Sequence, residues 1–332
     1  MAAVATAPLG SVPAGASPRW IISPGVDLSL VIGSALAGYI YLGLFSVMHV
    51  KITLLWWFWS VGFDGTHIFA TASRTYFDPE ARARTPLLLW GSLLVFFSLG
   101  PLMVLAGLKG LLALLVGVWA YYHVVKQHYG FLVLYKVKNR DLEPRDNQLD
   151  RLFLGVMMIF PPFHRFFIHH PEELGIKLAF PQWEPVFWVI VAATCAMWLA
   201  RQRGRWRRDV PKYLLLGAIL PLHWLTFAYM SWQAAVPTVT IVHNLQYHAL
   251  VWFHNRNRYG GVRLVSRSLG AYVGAALVFS ALYRIPGFQL GQVSDLAFGF
   301  FCGFGLTHYY LDSKIWRVRH DPELRAALGM AG

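Results

Sequence analysis

Six histidines and two aspartates recur in apolar stretches of the chain: Asp64 and His67 in FDGTHIFATASR, His123 and His128 in YYHVVKQHYG, His243 and His248 in VHNLQYHALVWF, and His308 and Asp312 in THYYLDSK. Imidazole and carboxylate together suit iron or another borderline divalent ion. No Cys or Met joins the pattern, which argues against copper(I) and iron–sulfur chemistry. Cys195 and Cys302 lie in apolar runs and read as packing residues, not a disulfide.

Spacing narrows the geometry. Asp64 and His67 stand at i, i+3 and His308 and Asp312 at i, i+4, so each pair shares a helix face. Each could supply two ligands, or one ligand and the group that orients it. His-x4-His occurs at 123/128 and at 243/248. Five residues turn a straight α-helix by about 500°, which leaves the two rings about 140° apart. Each pair would therefore serve two different ions unless its helix bulges. Six histidines and two aspartates give each of two metals about four ligands, so a dinuclear centre with ions about 3.5–6 Å apart is the expectation. A single ion, needing about four ligands in all, is the alternative.

The elements that must hold these residues are membrane spans. Hydrophobic residues make up 56% of the 332-residue chain and charged residues 14%, against about 25% charged in a soluble domain. Apolar runs of near-membrane length repeat to the C-terminus. They predict an all-α, polytopic transmembrane bundle with ten spans, at 27–48, 52–73, 86–107, 110–135, 152–168, 185–200, 212–232, 237–254, 269–285 and 293–312. Residues 1–20 read as a disordered tail without a signal peptide, 21–313 as one membrane domain and 314–332 as a basic C-terminal tail. The net charge of +13 sits between the apolar runs, so topology and anionic lipid explain it better than nucleic acid.

With the N-terminus inside, 23 Lys and Arg fall in the inner segments and five outside, Lys51, Lys109, Arg165, Lys177 and Arg284. Both termini are then cytoplasmic. The even-numbered spans carry the site residues toward the basic side. His67, His128, His248 and His308 lie 7, 8, 8 and 6 residues before the next basic residue. At about 1.5 Å per residue they share one layer to within about 3 Å. His123 and His243 lie deeper by about one and a half turns. Ionisable residues in spans face the bundle interior. His49, His164, His169 and His170 fall on the opposite side, His320 follows the last span, and His223 reads as packing. His254 and Asn244 could support the ligands. Lys126 could act in catalysis by pairing with Asp64 or Asp312 or by holding a substrate head group; a lysine snorkelling along its helix is the plain alternative.

Paired histidines on neighbouring membrane helices resemble the integral-membrane non-haem iron oxygenases, the fatty-acid desaturases and hydroxylases. THYYLDSKIWRVR, with His308 and Asp312, and HNLQYH are also similar to motifs of the bacterial β-carotene dioxygenases of the bacterioopsin-related family. The resemblance implies an iron-dependent oxidoreductase of a bacterial inner membrane. It would act with O₂ on a lipid or isoprenoid substrate and take electrons from a soluble or membrane donor. Two other readings stay open: a bis-His haem b electron-transfer protein, and a metal-ion or proton transporter.

Overall fold

The computed structural model describes residues 19–175, 179–204, 209–318 and 320–330. Among them there is no β-strand. Ten long helical rods follow one another: α1 (Pro24–Ser46), α2 (52–74), α3 (Pro86–Leu105), α4 (Lys109–Lys138), α5 (Pro144–His169), α6 (Glu184–Gln202), α7 (Val210–Tyr229), α8 (Trp232–Tyr259), α9 (Leu269–Val293) and α10 (Asp295–Ile315). Local chemistry marks their ends. Proline opens α1, α3 and α5, where its missing N–H costs nothing. Ser268 and Ser294 cap α9 and α10 through their hydroxyls. Gly260, at φ 55°, closes α8 in the left-handed conformation.

Six rods, α1, α3, α5, α6, α7 and α9, are long and apolar enough to cross a membrane. The other four, α2, α4, α8 and α10, are the ones that carry the histidine motifs. They are of similar length, and most of their mid-span polar residues are buried in the bundle, where the hydrogen-bonding groups of neighbouring rods replace water.

The rods alternate in direction. At one end Arg84 pairs with Glu323 at 2.6 Å, Arg258 with Glu80 at 2.7 Å and Arg201 with Asp146 at 2.5 Å. The Lys138 ammonium reaches the Gly329 carbonyl and the Asn257 amide reaches Ala327, at 2.9 and 2.8 Å. These contacts gather the basic loops and the C-terminal segment at a single end. Lys109 meets Asp295 at the opposite end. Residues beyond α10 form a short helix, Pro322–Ala327, with Leu324 and Leu328 fully buried. The predicted N-terminal tail lies outside the described residues except for its last two.

Several predicted boundaries move, span eight by five residues at each end to Trp232–Tyr259. Span five lengthens to α5 at its start, from 152 back to Pro144, while Pro161 and Pro162 are carried inside the helix, which ends in a π-helical turn. Span nine continues from 285 to Val293, with Pro286 inside it and Gly287 packed against the Phe301 ring of α10. Arg284 therefore belongs to the bundle interior, not to an outside loop. α10 lies directly on α3: a Cβ at Gly100 would stand 1.9 Å from the Gly299 carbonyl oxygen, so the two backbones touch. Small residues permit this approach in membrane bundles.

Candidate metal centre

The four histidine-bearing rods each deliver one imidazole to a common point. His67 of α2, His123 of α4, His243 of α8 and His308 of α10 each offer a nitrogen, and these atoms lie within 4.8 Å of one another. All four residues are buried. His67 Nε2 and His243 Nε2 face each other at 3.0 Å. With bonds of about 2.0–2.1 Å, two nitrogens on one ion stand at most about 4.2 Å apart. Neighbouring ligands on one ion stand about 2.9–3.4 Å apart, so nitrogens within 4.8 Å of one another come into range by side-chain rotation.

Hydrogen-bond bookkeeping tests whether the residues suit a cation. His67 Nδ1, His123 Nε2, His243 Nδ1 and His308 Nε2 have no hydrogen-bond partner. A buried polar atom left unsatisfied costs about 1–3 kcal/mol. An ion held by His123 Nε2, His308 Nε2 and the facing Nε2 atoms of His67 and His243 would relieve that cost at the first two and replace the contact between the second two. For His308 the partners also fix the tautomer. The Asp312 carboxylate can only accept, so the Thr71 hydroxyl donates to its Oδ1 at 2.6 Å. Thr71 Oγ1 then accepts from His308 Nδ1–H at 2.8 Å. His308 Nε2 is left as a lone pair, aimed at the cluster. Tyr247 donates to the same Asp312 oxygen at 2.7 Å, and Trp316 donates to Tyr247 at 3.1 Å.

Asp312 thus stands behind His308 as an orienting group, with its Oδ2 3.7 Å from His123 Nε2. Thr71→Val should weaken metal binding about 10–100-fold, the usual effect of removing an outer hydrogen-bond partner. Metal retained after dialysis against graded chelator measures it. Retention equal to wild type would remove Thr71 from the site.

The other expected residues stand elsewhere. His128 donates its Nδ1–H to the Val124 carbonyl at 2.8 Å and turns toward His223, with ring centroids 5.8 Å apart. His248 lies 6.4 Å from the His67 ring, bonded to Tyr272 at 2.9 Å and Thr66 at 3.0 Å. Asp64 is ion-paired with Arg284 of α9 at the edge of the cluster. Lys126 is on the exposed face of α4, its ammonium 5.6 Å from the Tyr129 ring. His254 contacts Asn255 at 3.2 Å, away from the centre. Asn244 lines the space between the four rings, as a supporting group would.

That space is about 40 Å³ and opens into a cavity of about 430 Å³. Asp64, Arg284 and Tyr309 border both. Trp56, Trp59, Phe288 and Phe298 wall the larger cavity, which runs from the cluster toward the end of the bundle away from the basic loops. A second, apolar cavity of about 190 Å³ lies on the other side of His308, between α2, α3, α9 and α10.

Three partners escaped the sequence reading: Thr71, Tyr247 and Arg284. Thr71 and Tyr247 are ordinary helix residues and carry no signal. Arg284, an arginine among apolar residues, was legible as an interior charge, had the ninth span been drawn longer. Comparison of the chain with known protein families, curated proteins and solved structures returns no match.

Proposed function

We propose that the protein is a membrane-embedded oxidoreductase that holds one non-haem iron ion at His67, His123, His243 and His308 and acts with O₂ on a lipid-like substrate. The observation that carries this reading is the convergence of four buried imidazoles, with His123 Nε2 and His308 Nε2 unpartnered, at the end of an aromatic-walled cavity. Four ligands are the complement of one ion, so the single-ion alternative replaces the dinuclear expectation. When bound, iron supplies O₂ activation through the coordination positions that the four imidazoles leave open. The rest falls to the chain. Thr71 and Asp312 hold the His308 tautomer. The cavity takes an apolar chain out of the bilayer and keeps water from the reacting end. Asp64, Arg284 and Tyr309 are the polar groups at that end, placed to orient the part of the substrate that reacts.

A haem fits poorly. His67 Nε2 and His243 Nε2 are 3.0 Å apart, and only about 40 Å³ separates the four rings, so no slot for a porphyrin lies between any pair. A transport pathway would spread its polar groups through the depth of the bundle, whereas these converge at one point. We also propose that the basic end, with both termini, is cytoplasmic, where an electron donor would dock.

Metal analysis and absorption spectroscopy of the purified protein test the reading. One iron per chain without a Soret band is expected, with oxygen uptake on adding an acyl or isoprenoid lipid. Stoichiometric haem, or a site that takes no iron on reconstitution, would overturn it.

A further inference from the structure

A second histidine cluster stands at the end of the bundle away from the basic loops and uses none of the residues above. His164 and His169 close α5, and Glu184 is the first residue of α6. His164 Nε2 lies 2.7 Å from Glu184 Oε1 and 3.2 Å from His169 Nε2; His169 Nε2 lies 3.4 Å from the same Glu184 oxygen. We infer that His164, His169 and Glu184 form a binding site for a borderline divalent transition metal such as zinc.

The local backbone is what makes the site. His164 and His169 have the same His-x4-His spacing as His123/His128 and His243/His248. On an α-helix five residues leave the rings about 140° apart, and the two core pairs do face different partners. Residues His164–His169 are instead a π-helical turn. Its i→i+5 hydrogen bonding stacks residues five apart on one face. The two rings accordingly sit 4.4 Å apart. A π-turn departs from the α-helix at a local cost, and such turns concentrate where a function uses them.

The donor triangle has the dimensions of one coordination sphere. With bonds of about 2.0–2.1 Å, neighbouring ligand atoms on one ion stand about 2.9–3.4 Å apart, whether its angles are octahedral or tetrahedral. The observed edges run from 2.7 to 3.4 Å. Two imidazoles and a carboxylate are a zinc donor set, and three protein ligands leave a position for water. Side-chain exposures of 27% for His164, 46% for His169 and 32% for Glu184 allow an ion to enter from solvent. Trp188 donates to Glu184 Oε1 at 3.4 Å and packs on His164 with ring centroids 5.6 Å apart, orienting both ligands. A bound ion would tie the end of α5 to the start of α6.

Titration of the purified full chain with Zn²⁺ alone, against a competing chromophoric chelator, tests the site. The double variant His164→Ala/His169→Ala should bind one equivalent fewer than wild type. Glu184→Gln keeps the size of the side chain and should weaken the same class of site at least 10-fold. Zn²⁺ should raise the Tm of wild type more than that of either variant. His67→Ala, in the core cluster, should leave this class unchanged, so loss of the core reading does not imply loss of this one. Wild-type titrations from the double variant and from Glu184→Gln would overturn the assignment, as would loss of the site on His67→Ala.

Discussion

Alanine at His67, His123, His243 or His308 is expected to abolish metal binding and activity, while His128→Ala and His248→Ala retain bound metal. Each of the first four contributes one nitrogen to the convergent set, and the nearest carboxylates are already engaged, Asp312 with Thr71 and Tyr247 and Asp64 with Arg284. An outer partner costs about 10–100-fold in affinity when removed, and a direct ligand costs more. His128 and His248 stand outside the convergent set, bonded to Val124 and to Tyr272 and Thr66, so their loss acts on packing and on those hydrogen bonds. Iron content of the six variants, purified side by side and checked for unchanged melting, separates the two groups. Loss of metal in His128→Ala with retention in His123→Ala would mean that the wrong member of that pair has been placed at the centre.

Asp150→Asn should be the most destabilising change outside the histidines. Asp150 is fully buried and accepts from the Lys136 ammonium, from Lys212 at 3.3 Å and from Trp198 at 2.8 Å. Removing its charge leaves two buried ammonium groups, Lys136 with Asp141 at 3.5 Å and Lys212 beside Asp209. Breaking a buried ion pair on one side costs about 3–5 kcal/mol, because an uncompensated charge remains in a low-dielectric interior. Denaturant titration in detergent should show a loss of that order. Replacing Asp150, Lys136 and Lys212 together by Leu and Met should recover most of it, since well-packed apolar groups often substitute for a buried ion pair without loss. A single variant as stable as wild type would show that the cluster is solvated.

The same cluster bears on one displaced expectation. Depth along α4 was counted from Lys136, taken as the first residue at the membrane surface. Lys136 is 2% exposed and belongs to the buried Asp150 cluster, so α4 continues past it to Lys138. A boundary beyond Lys136 moves the counted layer outward, away from His123, so depth does not select His123 over His128; the rotation of α4 about its axis does. On α8 depth alone does not choose, because His67 is near both histidines, with ring centroids 4.5 Å from His243 and 6.4 Å from His248. Rotation of the helix about its axis chooses, and it turns His243 inward.

The sequence by itself determined the all-α membrane class, the ten helical segments, their alternating direction and the four rods that bring histidine to the interior. Those follow from the length of apolar runs, from where Lys and Arg interrupt them and from the cost of an ionisable side chain in lipid. It also required that the two members of each core His-x4-His pair point different ways, since that is a property of any straight α-helix. Which member reaches the centre was left to the tertiary structure. A helix apolar on every face has no stripe to say which side is inward. Its rotation is set by contacts such as Gly100 on Gly299, which seats α10 against α3 and so aims His308. The partners of each polar group, Thr71 with Asp312 and Arg284 with Asp64, come from rods distant in sequence and exist only once those rotations are set. At 164–169 even the helix type was a tertiary outcome: one spacing, His-x4-His, separates its rings in an α-helix and brings them together in a π-turn.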